Sequence, residues 1–229
     1  PALVPGDQPH RTALGHLGRV DDAVKVLDRA LETFGIIGIE ATGLSQRVTA
    51  ATRAGTNCWR GDLPAAWADT ETALHSAVSE FQISAANYAS TGLHILAGRP
   101  SKALPLMERA IEWYGRTTGG STEYRWMLAR LALVHANAGN PDLAERALVE
   151  FDADDSPGIV FDQEAEVARA RVALLRGFPE EARRLLRATH ASVAAHGLVG
   201  GELMAAYELV RLDRVEEVAE RMAELAPLV

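Results

Sequence analysis

Apolar and small residues recur along the chain at spacings of three and four, the period of an α-helix that buries one face. Turn-forming residues separate these stretches, so the pattern predicts pairs of helices, a first and a second, joined by a short turn. We expect first helices at about 41–59, 81–97, 122–138, 161–176 and 199–212, and second helices at about 20–34, 64–79, 101–115, 141–151, 179–195 and 214–226. Only the residues around Ile36 and the run 159–161 are β-rich, and both are too short to build a sheet.

A repeated six-residue pattern, glycine followed five positions later by alanine, marks the turn inside each pair. Its copies begin at Gly18, Gly61, Gly98, Gly139 and Gly177, and the small residues are Ala23, Ala66, Ala103, Ala144 and Ala182. A sixth copy has Asp213 in place of the glycine, and the intervals along the series are 43, 37, 41, 38 and 36 residues. Glycine takes the left-handed conformation that ends a helix, and a small side chain lets two helices approach closely. The pattern therefore predicts antiparallel helical hairpins.

These hairpins resemble tetratricopeptide-like repeats, although the intervals exceed the ~34 residues of the standard repeat and its Trp-Leu-Gly-Tyr positions are not kept. The resemblance implies an all-α fold, a right-handed α-solenoid of about six antiparallel helical hairpins in a TPR-like superhelix. We expect residues 1–229 to form a single repeat domain, and near-constant intervals favour an array that extends rather than closes. Pro1 is not an initiator methionine, and only 11–17 precedes the first turn as a helix. We therefore expect the domain to be excised from a longer multidomain chain.

The net charge and the cysteine content exclude several classes of protein. The 229 residues carry a net charge of -8, with no long block of Lys and Arg, which argues against a surface for nucleic-acid phosphates or anionic lipid. The single cysteine, Cys58, cannot form an internal disulfide, and the sequence contains no apolar run of the ~20 residues that cross a membrane. We expect a cytoplasmic protein that makes no direct contact with nucleic acid or membrane.

Candidate catalytic groups are weak. Residues 152–155 read Asp-Ala-Asp-Asp, the DxDD pattern of class II terpene cyclases, but they fall before a Ser-Pro-Gly loop in an acidic chain. The seven histidines include no pair three or four residues apart, so no metal site is predicted. Cys58 lies in an apolar column with no base beside it in sequence. We predict no enzyme, no metal and no cofactor.

Polar side chains on three successive first helices are the candidate binding residues. Solenoids commonly bind partners along the concave face that their first helices line. The residues proposed to line this groove are Gln46, Arg53, Asn57, Asn87, Thr91, His94, Trp126, Arg130 and His135. Asn57, His94 and His135 each stand four positions before a turn glycine and are expected to stack as a polar ladder. The alternative is that these residues are hydrated or pack by hydrogen bonds against neighbouring helices.

Two late hairpins carry a second resemblance. The run 168–183, Ala-Arg-Ala-Arg-Val-Ala-Leu-Leu-Arg-Gly-Phe-Pro-Glu-Glu-Ala-Arg, is similar to a hairpin in the helical region of large ATP-binding LuxR-family regulators, the MalT-like STAND group. Residues 205–226 resemble the hairpin that follows, apart from Asp213. This resemblance implies a non-catalytic sensor or protein-interaction segment of a transcriptional regulator. Its implied partners are the flanking ATPase and helix-turn-helix domains of the full-length protein and a small-molecule inducer or regulatory protein.

The alternative function is a stand-alone TPR-like adaptor that binds a peptide or protein partner. The sequence contains neither a GxxxxGK[ST] phosphate loop nor a recognisable DNA-reading helix, so the ATPase and DNA-binding activities are not assigned to this chain. Exposed apolar faces at the ends of an array also favour a homodimer. The two functions differ in the flanking domains: the regulator requires an ATPase and a helix-turn-helix domain beside this chain, and the adaptor does not.

Overall fold

The computed structural model describes residues 17–37, 43–76, 79–117, 122–154 and 162–228. Within these ranges the chain forms α-helices joined by short turns, and the described residues include no strand. The helices are α1 (Val20–Ile37), α2 (Gly43–Trp59), α3 (Leu63–Ser76), α4 (Glu80–Leu96), α5 (Pro100–Thr117), α6 (Thr122–Asn137), α7 (Pro141–Ala153), α8 (Asp162–Leu175), α9 (Pro179–Ala195), α10 (Val199–Arg211) and α11 (Ala219–Leu225). Two 3₁₀ helices, Val215–Glu217 and Ala226–Leu228, flank α11. The all-α prediction is confirmed.

All but one of the predicted helices are confirmed to within three residues at each end. The helix predicted over 214–226 is wrong, because a 3₁₀ turn ends at Glu217 and α11 begins only at Ala219. Val218 lies between them with φ -131° and ψ -8°, outside the helical region, so it interrupts the hydrogen-bond ladder. The β-rich run 159–161 and most of the helix predicted over 11–17 lie outside the described residues.

The turn inside each hairpin has the left-handed residue that the repeat predicted. The five repeat glycines have φ between 67° and 85°, and Asp213 is the one described residue other than glycine with positive φ, at 61°. In the turns from Gly61 onward the amide after this residue donates to a carbonyl five positions back, as Asn140 does to His135 at 2.9 Å and Arg214 to Leu209 at 3.0 Å. This Schellman arrangement satisfies the last carbonyls of the helix. Asp213 therefore ends α10 in the geometry that glycine gives the other turns.

Small residues fill the closest contacts between the helices. The alanines five positions after the turn glycines are at most 1% exposed. A second buried column, seven positions before each turn residue from Gly61 onward, consists of Ala54, Thr91, Ala132, Ala170 and Ala206. Because these side chains add little bulk, they allow neighbouring helices to approach closely at these positions.

The first helices α2, α4, α6, α8 and α10 form a row in which each contacts the next, most extensively between α2 and α4 and between α6 and α8. We call this arrangement the first-helix row. Second helices pack against the first helices on either side, as α3 does against α2 and α4, and α7 against α6 and α8. The chain thus consists of two layers of helices, with the first-helix row as the continuous one.

The composition of the core changes along the array. From α6 onward the main cluster contains large apolar side chains, among them Leu128, Leu148, Phe151, Leu186 and Leu209. Among the described side chains of the α2–α4 region, a smaller cluster consists of alanines, at 50, 51, 73 and 86, and Leu93 is the one large apolar side chain that is fully buried. The buried polar residues there are Thr56, Asn57, Asp69, Thr70, Gln82, Ser84, Asn87, Ser90 and Thr91. The described core of the early part therefore consists mainly of small and hydrogen-bonding groups, and that of the later part mainly of leucine, valine and phenylalanine.

The beginning and end of the described array touch. Gly18, in the first turn, is buried against Val199 at the start of α10, and a Cβ added to Gly18 would lie 2.8 Å from Val199 Cγ2. This contact departs from the extended array that the near-constant intervals predicted. The intervals specify hairpins, whereas the rotation between successive hairpins, which decides whether the ends meet, depends on packing between helices far apart in sequence.

Candidate functional site

The nine predicted groove residues all lie on first helices, as expected, but they do not share one surface. Gln46 belongs to α2, and its side chain lies outside the part of the chain that the structure describes. The remaining eight divide into three groups, which differ in the layer that their side chains contact.

Arg53 and Asn57 of α2 face the second helices. Arg53 donates through Nε to Asp69 Oδ2 at 2.9 Å and through Nη2 to the other oxygen of the same carboxylate, and its Nη1 reaches Asp28 at 2.6 Å. Asn57 also donates to Asp69, at 2.9 Å. The hydrogen bond that Arg53 donates to Asp69 raises the pKa of Arg53, against the effect of burial.

These residues line an open cleft of ≈ 330 Å³ between α1, α2 and α3, which Arg60 and Asp62 border. The cleft carries both signs of charge. Because the Asp69 carboxylate binds Arg53 through both oxygens, the main hydrogen-bonding groups of the cleft are already occupied by one another. The arrangement ties α1, α2 and α3 together.

Asn87 and Thr91 of α4 are buried and do not line a groove. Thr91 Oγ1 donates to the carbonyl of Asn87 at 2.8 Å, and Thr91 occupies the column that alanine fills in the other hairpins. The side-chain amide nitrogen of Asn87 has no acceptor among the described residues. Both positions belong to the packing between helices.

His94 and His135 also point towards the second-helix layer. The His94 ring meets Trp67 of α3 edge-on, with the ring centroids 4.9 Å apart. Burial lowers the pKa of His94, and Lys102 and Arg99 lower it further. Burial also lowers the pKa of His135, where Arg146 adds to the effect and Glu108 opposes it.

The predicted ladder of Asn57, His94 and His135 therefore does not line the first-helix row. Their backbone carbonyls accept the long Schellman bond of each turn, from residues 62, 99 and 140. A side chain at this position belongs to the last helical turn, where the chain bends towards the second helix. The common spacing before glycine was a signal of turn geometry.

Arg130 of α6 contacts the neighbouring first helices. Its Nε donates to Glu164 Oε2 of α8 at 2.5 Å, and its Nη2 binds the other oxygen of that carboxylate. The guanidinium lies 4.3 Å from the centroid of the Tyr88 ring on α4. A Cβ at Gly92 would lie 2.8 Å from Nη1, so glycine leaves the space for this side chain.

This ion pair is almost dry, since the side chains of Arg130 and Glu164 are 11% and 1% exposed. Burial alone lowers the pKa of Arg130, but the charge and hydrogen bonds of Glu164 raise it overall, so the guanidinium stays charged. Burial also raises the pKa of the Cys58 thiol on α2 to about 12, against the opposing charge of Arg130. Cys58 is therefore a protonated thiol at neutral pH.

Trp126 lies one helical turn before Arg130 and is half-buried. Glu123, Trp126, Arg130 and Asn137 are spaced by three, four and seven residues, which places them on one face of α6. Arg125, which is next to Trp126 in sequence, binds the end of the second helix α7 and Asp162 at the start of α8. It donates to the carbonyls of Phe151 and Asp154 at 2.8 and 2.6 Å, holding the end of α7.

Sequence reasoning missed the acidic partners of this surface. Glu164 binds Arg130, and in the next pair of first helices Arg171 of α8 donates to Glu208 of α10 at 2.5 Å. Each partner lies more than thirty residues from its arginine, and a single sequence with many Glu and Arg residues contains no signal that pairs them. The two ion pairs bridge α6 to α8 and α8 to α10.

The structure also places the DxDD run and shows what the described residues offer as metal ligands or membrane spans. Of the DxDD run, Asp152 pairs with Arg169 at 2.5 Å, and Asp155 lies outside the described residues. Across the described ranges, no three His, Cys, Asp or Glu side chains are grouped as a metal site. None of the helices in those ranges combines the length and apolar character needed to span a bilayer.

Comparison of the chain with protein-family models, with curated proteins and with solved structures produced no match. The candidate surface therefore stands on its own geometry: the face of α6 that carries Trp126 and Arg130, with Tyr88 and Glu164 on either side.

Proposed function

We propose that this chain is a non-catalytic binding segment and that its partner, an inducer or a regulatory protein, contacts the first-helix row around Trp126. More specifically, we propose that the chain is the sensor segment of a LuxR-family transcriptional regulator. Its fold would be a right-handed α-solenoid of about six hairpins. The LuxR assignment rests on the residue pattern of 168–183 and 205–226. The binding role rests on the first-helix row.

A single observation supports the binding role. The half-buried Trp126 lies one helical turn before Arg130, whose guanidinium is fixed on both sides, by the Tyr88 ring and by the Glu164 carboxylate. Aromatic and arginine side chains held rigidly before binding are typical anchors, because little conformational freedom is lost when a partner docks. Trp126 is the residue that we expect the partner to contact, and Arg130 holds its surroundings in place.

The test is thermal unfolding of the chain in the presence of a panel of sugars, amino acids, nucleotides and short peptides. A ligand that binds only the folded state raises the unfolding midpoint. We expect one class to do so in the parent chain and to lose the effect in Trp126→Leu. Substitution of Arg130 is unsuitable here, because it leaves the buried Glu164 carboxylate unpaired.

Trp113→Leu is the matched control. Trp113 is also half-buried, but it lies on the second helix α5 and packs on the Met107 cluster. It should lose a similar amount of stability and keep the ligand-induced shift. Equal loss of the shift in both variants, or a shift that survives in Trp126→Leu, would place the ligand elsewhere.

The alternative function is a stand-alone adaptor for a peptide or protein partner. In the panel, a response to peptides alone favours the adaptor, and a response to a small metabolite favours the inducer sensor. The complete gene product separates the two forms further. A STAND-type ATPase before this segment and a helix-turn-helix domain after it are required by the regulator and not by the adaptor.

A further inference from the structure

The turn at Gly18 and the start of α10 form a contact between the two ends of the described array. With a Cβ built on Gly18, the distances to Val199 Cγ2, Cβ and Cγ1 are 2.8, 3.2 and 3.3 Å. Gly18 is buried, although its neighbours Leu17 and Arg19 are exposed. Leu198 and Val199 are also buried, at 7% and 6% exposed. The glycine backbone is therefore covered by a valine side chain.

Glycine is required at this turn for two separate reasons. The first reason is its positive φ of 74°, which favours glycine. The turns at Gly61, Gly98, Gly139 and Gly177 have positive φ as well, of 78°, 67°, 78° and 85°. At those four turns a Cβ would meet no atom within 4 Å. Only at Gly18, among the repeat turns, is the space beside the turn also filled by another part of the chain.

The contact completes a circuit of packed elements. From α1 the path runs through α2, α4, α6, α8 and α10, each packed on the next, and returns from Val199 to the turn that opens α1. The surroundings of Arg130 agree with a ring of closely packed first helices. This one side chain packs on Tyr88 and Gly92 of α4, binds Glu164 of α8, and lies within electrostatic range of Cys58 of α2.

We propose that Gly18 and Val199 form a latch that closes the helical array on itself. The latch consists of one valine side chain seated on one glycine turn, so it is small compared with the interfaces between successive hairpins. Separating the ends would break this contact, while the hairpins keep their neighbours. A partner that enters between the two ends would compete with the latch.

The direct test is a distance measurement between spin labels in the full chain. Leu17 and His196 are exposed and lie beside the two halves of the latch, so each is changed to cysteine in a Cys58→Ala background. A short and narrow distance distribution is expected. A long or broad distribution in this labelled parent would overturn the latch.

Matched substitutions show whether the contact controls the distance. Gly18→Leu adds a side chain where Val199 lies, whereas Gly139→Leu imposes the same backbone strain with open space around it. The labelled Gly18→Leu chain should shift to longer distances, and the labelled Gly139→Leu chain should keep the parent distribution. The same distribution in both variants would contradict the proposal.

Val199→Glu tests the latch without straining the turn at Gly18. Position 199 is the first residue of α10, where an acidic side chain suits the helix N-terminus, so the variant should fold. A charge there cannot stay buried against the Gly18 turn, and the label distance should lengthen. Retention of the parent distance by folded Val199→Glu, checked by circular dichroism, would show that this contact does not hold the ends together.

Discussion

Asp213 adopts the backbone conformation that glycine supplies at the other five turns. An L-residue in the left-handed region costs roughly 1–2 kcal/mol, less for Asp and Asn than for most others. We expect Asp213→Gly to raise the free energy of unfolding by about 1 kcal/mol, because glycine relieves this strain at an exposed position. Urea denaturation monitored by circular dichroism measures the change.

The reverse substitution is the control for Asp213. A Cβ at Gly139 would meet nothing within 4 Å, so Gly139→Ala isolates the cost of the backbone conformation. It should lower the free energy of unfolding by about 1–2 kcal/mol. If both variants left the urea midpoint unchanged, the left-handed turn would not be what terminates these helices.

Two histidines, the half-buried His94 and the buried His135, link stability to pH. Burial lowers the pKa of His94 and of His135 below their ordinary value of 6.5. The unfolded chain therefore binds protons at a higher pH than the folded chain, and stability falls as the pH is lowered through 6.5. We expect the free energy of unfolding to decrease between about pH 7.5 and 5.5.

The variant His94→Gln/His135→Gln should flatten this pH dependence, and His75→Gln, at an exposed position of α3, should retain it. The measurement is the urea midpoint at each pH. A decrease of equal size in the parent and the double variant would mean that other groups cause it.

At the scale of single elements, the bridge from α6 to α8 is the most consequential ion pair. Removing one partner of a buried pair costs roughly 3–5 kcal/mol, because the other charge remains in the interior. Since Glu164 is 1% exposed, Arg130→Met should show a loss of that size. Differential scanning calorimetry and urea denaturation both report it.

The double variant Arg130→Met/Glu164→Leu should recover much of the loss, since neither charge is then left buried. Arg184→Met is the control, because Arg184 pairs with Glu181 on the exposed surface of α9, and it should leave the midpoint unchanged. A double variant as unstable as Arg130→Met alone would show that packing around the arginine side chain, not its charge, supports the helices.

The helices could be predicted from sequence because their signals are local. Glycine at the end of a first helix, proline near the start of a second and small residues five positions later specify each hairpin within a few residues. The last helix was mispredicted because Val218 leaves the helical region without a proline or glycine to announce it.

The faces of the helices were harder to predict. Asn57, His94 and His135 form a column in sequence, but they face the second helices, and Arg125 turns away from Trp126. Which side of a first helix meets the second-helix layer depends on the packing of whole hairpins. The sequence places Trp126 and Arg130 one turn apart on the same helix, whereas the contacts of Arg130 with Tyr88, Gly92 and Glu164 cross between helices and could not be predicted.

At the scale of the whole molecule, exposed apolar side chains gather where α8 turns into α9. Leu174, Leu175 and Phe178 are 40%, 46% and 62% exposed. Apolar patches of this kind favour association, so we expect the chain to self-associate as its concentration rises. Phe178→Ser should weaken this association because it removes the most exposed of these three side chains. Position 178 is the N-cap of α9, where a serine hydroxyl can cap the helix, so the variant should fold.

Sedimentation velocity across a concentration series measures the effect of Phe178→Ser. The control is Val149→Ser on α7, which removes a single exposed apolar side chain from another surface. An unchanged association constant for Phe178→Ser, or an equal change for Val149→Ser, would exclude the α8–α9 turn as the contact.

Among the described side chains, the core changes from mainly small and polar groups in α2–α4 to a leucine-rich core in α6–α10, and this change has a consequence for motion. Local opening is cheapest where little apolar surface is buried, so backbone amides in α2–α4 should exchange hydrogen with solvent faster than those in α6–α10. Native-state exchange followed by mass spectrometry resolves the two regions, and uniform protection would contradict this expectation. The late helices then serve as a rigid platform, and the early helices as the compliant part of the array.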